Sequence, residues 1–294
     1  MMNQYPFRKI LPQIGSMGRP FLKMHGLRNH FIIVDGREQP FKPTIAAISR
    51  ICDPHEGVGA EQLLIIENPT TAGRNKGAEA LMRIINIDGR EAEACGNATR
   101  CVAYLILEEK NAEKIILETI TGTLECWRAG EQRVSVNMGH ISKDWWKIPL
   151  SEAQDTCHLD ISNGPLKNPV ALNIGNPHVV FFVNDLKTIV MEDLCPAIQT
   201  DPLFPNQINV GVAQMVTDSH MLLAVYERPG ILTEACGSGA CVAFYAARLR
   251  GLTDRDKMTV ELPAGPIEVA IQPDDSVVMT GPVAFCFGGF LLEK

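Results

Sequence analysis

The stretch EACGNATRCVA, residues 93–103, returns in altered form as EACGSGACVA at residues 234–243. Each copy sets Cys-Gly and a small polar residue, Asn97 or Ser238, at the head of an apolar run. Asn97 and Ser238 can cap a helix, so the pattern predicts helices over 97–110 and 238–250. Both would be apolar almost all round. Ala98, Cys101, Val102, Ala103, Leu105 and Ile106 cover most faces of the first, and Ala240, Val242, Ala243, Phe244, Ala246, Ala247 and Leu249 those of the second. A helix without a polar face is a buried one.

Around these helices the chain reads as short strands bounded by turn residues. FIIVDG, LLIIEN, RIINIDG, KIILETITG and QRVSVNMG lie in the first half; ALNIG, HVVFFVND, INVGVAQMVT, MLLAVYER, MTVELPAG and IEVAIQP lie in the second. The expected class is α/β (α+β): two similar lobes, each a mostly antiparallel or mixed sheet wrapped around a central buried helix. One Cys-Gly per half fits a duplication, and the irregular segment KDWWKIPLSEAQDTC (143–157) is expected to cross between the lobes.

Composition narrows the function. The chain has 294 residues, 46% hydrophobic and 21% charged, enough for two cores of ordinary size. A net charge of −7 makes a phosphate-tracking surface a poor expectation, so nucleic acid is not an expected partner. The opening MMNQYPFRKILPQIG lacks the apolar centre of a signal peptide, and no run reaches the ~20 apolar residues that span a bilayer. A cytoplasmic location without membrane partners is therefore expected. In that reducing setting nine cysteines, an odd number, do not imply a disulfide framework. There is no C-x-x-C and no H-x-x-x-H, so no metal site is expected.

The first cysteine of each copy, Cys95 or Cys236, falls at a helix N-terminus, where unpaired N–H groups and the macrodipole favour a thiolate. A thiol of pKa ~8.5 is about 3% ionised at neutral pH. Lowering it by about two units requires ~2.7 kcal/mol, whereas a helix terminus supplies ~0.3–2 kcal/mol. A cationic or hydrogen-bonding neighbour is therefore needed as well. Gly96 and Gly237 leave backbone room beside each thiol for a ligand. Cys101 and Cys241 lie one to two turns further on and read as small buried hydrophobes, while Cys52, Cys126, Cys157, Cys195 and Cys286 carry no supporting pattern. Two reactive thiols on two lobes suggest a cleft in which one takes a proton from a carbon while the other donates to the opposite face. That chemistry needs no cofactor. A single-cysteine hydrolase, a thiol–disulfide pair and a binding module are the alternatives.

Several ordered blocks carry a resemblance: FLKMHGLRNHFIIVD, GVGAEQLLIIE, RIINIDGREAEACGNATRCVA, NIGNPHVVFFV, FPNQINVGVAQ and VYERPGILTEACGSGACVA. From about Phe21 onward the sequence resembles the diaminopimelate epimerases, cofactor-independent isomerases of bacterial lysine and peptidoglycan precursor synthesis. The resemblance implies that Cys95 and Cys236 are the acid/base thiols, and that Asn29, Gln62, Asn86, Gly96, Asn97, Asn176, Asn209, Glu227, Arg228, Gly237 and Ser238 bind the substrate. Neutral amides with one Arg suit carboxylate and ammonium groups without adding competing bases. It implies that His178 and Glu227 tune the thiols, an imidazolium lowering one pKa and a carboxylate raising the other. It implies conversion of LL-2,6-diaminopimelate to the meso form, with a histidine- or proline-type racemase as the related alternative. It further implies a homodimer, and a last strand that returns to the first lobe, giving lobes of 1–139 plus 275–294 and 140–274. The chain departs from the family at Arg28, commonly Gly, at His30, commonly acidic, and at Ala98-Thr99. It also departs at Phe287, where many members place a Tyr at the dimer contact; residues 1–20 have no counterpart.

Overall fold

Parallel strand pairs need a crossover, and each one here is bridged by a helix. The computed structural model describes residues 18–92 and 95–291. The sequence readings on residues 1–17 and on Glu93 and Ala94 of the repeat lie outside them. Two compact units are present, 1–136 with 280–294, and 137–279.

The first unit holds β1 (Arg19–Gly26), β2 (Asn29–Asp35), β3 (Gln62–Glu67), β4 (Ala80–Asn86), β5 (Lys114–Thr119), β6 (Gly122–Arg128) and the start of β7 (Arg133–His140), neighbours in that order. Pairs β2–β3 and β4–β5 are parallel; β1–β2, β3–β4, β5–β6 and β6–β7 are antiparallel. Helix α1 (Ile45–Cys52) bridges the first parallel pair and α3 (Gly96–Lys110) the second, with the short α2 (Thr71–Asn75) between β3 and β4.

The second unit repeats this logic. Beyond the two-stranded β8 (Ser162–Asn163) and β9 (Leu166–Lys167), it contains β10 (Val170–Asn173), β11 (Pro177–Phe182), β12 (Asn209–Met215), β13 (His220–Glu227), β14 (Ile231–Thr233), β15 (Lys257–Leu262), β16 (Gly265–Ile271) and most of β17 (Ser276–Pro282). Here β11–β12 and β13–β15 are parallel, bridged by α4 (Met191–Gln199) and α5 (Gly237–Leu249). The chain then returns to the first unit, where β18 (Ala284–Leu291) pairs antiparallel with β1.

Helices α3 and α5 begin at Gly96 and Gly237, one residue before the predicted starts, and each packs against five or more strands of its own unit. Residues 96–103 of α3 and 239–247 of α5 are buried without interruption. Fully buried Val102, Leu105, Ile106 and Leu107 contribute roughly 1.5–3 kcal/mol each. The two-lobe, sheet-rich α/β class expected from sequence is the class observed.

One expectation fails. Segment 143–157 is no crossover; it lies wholly in the second unit, where Ile148 and Leu150 belong to the core and Trp145 packs on it. The chain changes units inside β7, between Val136 and Asn137. The change falls within a continuous strand, so no irregular linker marks it.

Candidate active site

The N-terminus of α3 is built without a capping side chain. Cys95 is the N-cap residue, with extended backbone (φ −150°, ψ 107°) and no side-chain cap bond. Its carbonyl accepts from the Thr99 amide at 2.9 Å and from the Thr99 hydroxyl at 2.9 Å, which fixes the first turn. The sulfur, partly exposed, lies 3.7 Å from Asn29 Oδ1. That oxygen also accepts from Asn97 Nδ2 at 3.2 Å, while Asn29 Nδ2 donates to the Glu61 carboxylate. Asn97 Oδ1 in turn accepts from the Arg100 guanidinium at 2.8 Å. Asn29 starts β2 and lies one hairpin turn from β1. Gln62 and Asn86 pair with each other across β3 and β4, Gln62 Nε2 donating to Asn86 Oδ1 at 2.8 Å. The Phe31–Gln62 register of β2 with β3 sets that pair at the Asn29 end of the sheet.

The family departure at Arg28 leaves the hairpin turn intact. Leu27 and Arg28 both take left-handed backbone (φ 52° and 63°), the two-residue geometry that joins antiparallel strands with their natural twist. The Arg28 amide donates to His25 Nδ1 at 3.1 Å. The departure at His30 changes charge instead: its Nδ1 lies 3.7 Å from the Glu61 carboxylate.

The N-terminus of α5 differs in kind. Cys236 is again the N-cap residue in extended conformation (φ −124°, ψ 102°), but its sulfur accepts from the Gly239 amide at 3.3 Å and lies 3.5 Å from Ser238 Oγ. A Cβ on residue 239 would sit 3.1 Å from that sulfur, so the close approach of backbone to thiol depends on glycine. Behind Ser238 stands His178, fully buried, with Nε2 3.0 Å from Ser238 Oγ and 3.1 Å from Asn176 Oδ1. The amide oxygen can only accept, which favours the tautomer with hydrogen on Nε2. Asn176 Nδ2 also donates to Ser238 Oγ, at 3.3 Å. Between the Ser238 hydroxyl and the Cys236 sulfur, 3.5 Å apart, either atom can donate. Asn209, at the start of β12, donates to the Pro177 carbonyl and accepts from the Arg228 amide, both at 3.0 Å. The Arg228 guanidinium donates to the Asn206 carbonyl at 3.0 Å. Thus the structure joins Asn176, His178, Ser238 and Cys236 in one chain, and Asn209, whose Nδ2 lies 3.5 Å from His178 Nε2, links Arg228 to it.

The electrostatics around Cys236 correct one expectation. Burial lowers the His178 pKa to about 3, and the Arg228 charge adds to the effect. Its Nδ1 is buried with no hydrogen-bond partner, so protonation there would create an orphaned N–H. His178 is therefore a neutral imidazole near neutral pH, not the imidazolium invoked to lower a thiol. Burial first, and then the charge and hydrogen bond of Glu227, push the Cys236 thiol well above its ordinary range, against smaller opposing contributions from Ser238 and Gly239. Cys101, the filler of the first copy, is fully buried and pushed up to about 12, chiefly by burial.

Two residues escaped the sequence reading. Glu61 directly precedes Gln62 at the head of β3, and Arg100 is the one charge in the stretch 96–107 of its helix. The second was a legible signal, because a fully buried guanidinium requires dedicated partners. Among the described residues no cluster of His, Cys, Asp and Glu is arranged to hold a metal ion, and no helix is long and apolar enough to cross a membrane.

Known proteins resemble this chain in sequence and in fold. Over 277 residues the chain is 43% identical to a diaminopimelate epimerase of Rhodospirillum centenum, covering 94% of each chain. It is equally identical to one of Acidiphilium cryptum, over 94% of this chain and 97% of that one. Among solved structures, a hydroxyproline epimerase of Agrobacterium vitis superposes with a TM-score of 0.66 at 14% identity, over 94% of this chain and 92% of that one. A Bacillus anthracis phenazine biosynthesis protein of the PhzF family gives 0.66 at 16%, over 95% and 100%. At those identities the likeness speaks for the fold. The sequence profile described as Diaminopimelate epimerase matches residues 21–143 and 170–286, which take in both cysteine-capped helix N-termini and every amide placed above. A match that runs through both cysteine-capped helix N-termini makes the conclusion plain: the chain belongs to the diaminopimelate epimerase family of isomerases.

Proposed function

We propose that the chain converts LL-2,6-diaminopimelate to the meso isomer by a two-base proton transfer between Cys95 and Cys236, without a cofactor. The observation that supports it most is the pair of thiols, each the N-cap of the buried central helix of its unit. Removing an α-proton leaves negative charge on the adjoining carboxylate, and helix N-termini stabilise such charge through N–H groups and the macrodipole. Gly96 and Asn97 on one side, and Gly237 and Ser238 on the other, supply those groups. The amides Asn29, Gln62, Asn86, Asn176 and Asn209 and the Arg228 cation recognise the two amino-acid head groups.

The environments divide the roles. Cys236 rests as a thiol because burial and Glu227 disfavour its anion, so it is the proton donor. Cys95, partly exposed at the end of α3, is the base. The reading includes the place in lysine and peptidoglycan precursor biosynthesis, a cytoplasmic location and a homodimer. The reaction is tested by incubating LL-diaminopimelate in deuterated water and following label at the α-carbon together with stereochemistry. Label and inversion should appear together; absence of both refutes the assignment.

The role of Glu227 has its own measurement. In Glu227→Gln the Cys236 anion loses a neighbouring carboxylate, so its pH-dependent alkylation should shift to lower pH and its rate at pH 8 should rise several-fold. An unchanged profile would remove Glu227 as the tuning group.

A further inference from the structure

We propose that Glu61 is a positioning residue, which acts through the Asn29 amide to fix the polar atom that faces the Cys95 sulfur. This rests on the reading of Cys95 as an acid/base thiol and adds a residue to its control. Arg100, Asn97, Asn29 and Glu61 form one directed series of hydrogen bonds. Its ends are charges with opposite capabilities: a guanidinium only donates and a carboxylate only accepts. Each amide between them can take part in only one orientation, with its oxygen toward Arg100 and its NH2 toward Glu61.

The Arg100 end is rigid. Its side chain is fully buried, its Nε donates to the Pro282 carbonyl, and a Cβ at Gly26 or Gly281 would come within 3.0 Å of the guanidinium. The Glu61 end is half exposed and is the one that can be changed without disturbing a core. With Nδ2 held by Glu61, Asn29 shows the sulfur its oxygen, 3.7 Å away. A carbonyl oxygen accepts from S–H but repels S⁻, so this orientation holds the proton on Cys95 until something breaks the series. A substrate head group that takes over the Asn29 amide would do so. Deprotonation would then be coupled to occupancy, and an idle, accessible thiolate would be avoided.

Other ionisable groups face the same place. His25 and Arg28 come from the β1–β2 hairpin, His30 from β2 beside Glu61, Arg100 and Cys101 from α3, and Lys23 and Cys286 from β1 and β18. A test must therefore separate hydrogen-bond orientation from loss of charge. Two variants do so: Glu61→Ala removes both charge and acceptor, whereas Glu61→Gln removes the charge but keeps an acceptor oxygen.

The readout is the iodoacetamide alkylation rate of Cys95, followed by peptide mass spectrometry from pH 7.5 to 10, where histidines of ordinary pKa are neutral. No turnover is required, so a failure of the epimerase assignment would not be mistaken for a failure here. At pH 7.5 Glu61→Ala should react about three- to tenfold faster than the unaltered protein, as expected for one lost hydrogen bond. Glu61→Gln should stay within about twofold. In an Asn29→Ala background, Glu61→Ala should add nothing. Three results overturn the proposal: no acceleration in Glu61→Ala, equal acceleration in both variants, or an acceleration that persists without Asn29. The last two would mean that Glu61 acts only as a charge.

Discussion

Cys95→Ala and Cys236→Ala should each lose about 10²–10⁴-fold in kcat/KM for epimerisation, the usual range for removing one acid–base group. The two losses should differ in kind. Cys236→Ala keeps the base, so it should still exchange the α-hydrogen of the bound substrate with retention while failing to invert it. Cys95→Ala keeps a donor whose proton is held tightly by burial and Glu227, so exchange from the LL isomer should fall as well. Neither loss follows from unfolding. Cys95 makes no side-chain cap bond, and Cys236 caps α5 through one bond to Gly239, worth about 0.5–2 kcal/mol if lost. Thermal melting of both variants checks this. A single-cysteine hydrolase would tolerate one of the substitutions; near-normal inversion by either variant would count against the two-base mechanism.

How much of this was legible in the sequence depends on how local the signal was. The helices that follow Cys95 and Cys236 were predicted to within one residue at each end because a long apolar run is a local feature; the caps were not, since Cys95 and Cys236, rather than Asn97 and Ser238, hold the N-cap positions. Strands such as β3 and β11 were visible for the same reason. Helix α4 was not, because Pro196 lies inside it and argues against a helix. Burial of Met191, Cys195 and Ile198 against the second core overrides that preference. Segment 143–157 was misplaced because Trp145, Ile148 and Leu150 enter a core from irregular backbone, where no period reveals which residues turn inward. At the site, residue types were readable but protonation was not. GNPHVV shows a histidine after a turn; only the packed structure shows that it is fully buried, with Nδ1 lacking a partner. Glu61 escaped because its partner Asn29 lies on another strand.

That buried histidine should make the second unit lose stability in mild acid. An unfolded chain binds a proton at His178 near pH 6.5, whereas the folded chain resists until about pH 3. Between those values the unfolded state holds more protons, so stability rises with pH there and is lost as pH falls. The contribution is fully present above about 6.5. By pH 5 the cost is about 2 kcal/mol, from ~1.5 units at 1.36 kcal/mol each, and it approaches about 5 kcal/mol near pH 3. Carboxylates also titrate toward the lower end, so the variant His178→Gln is the comparison. Its amide keeps a donor for the Asn176 and Ser238 oxygens and cannot take up the proton. Urea midpoints at pH 7 and pH 5 should separate less in His178→Gln than in the unaltered protein, whatever the variant loses at pH 7. Equal separations would mean that folded His178 takes up its proton at about the same pH as the unfolded chain, so that burial does not hold the imidazole neutral.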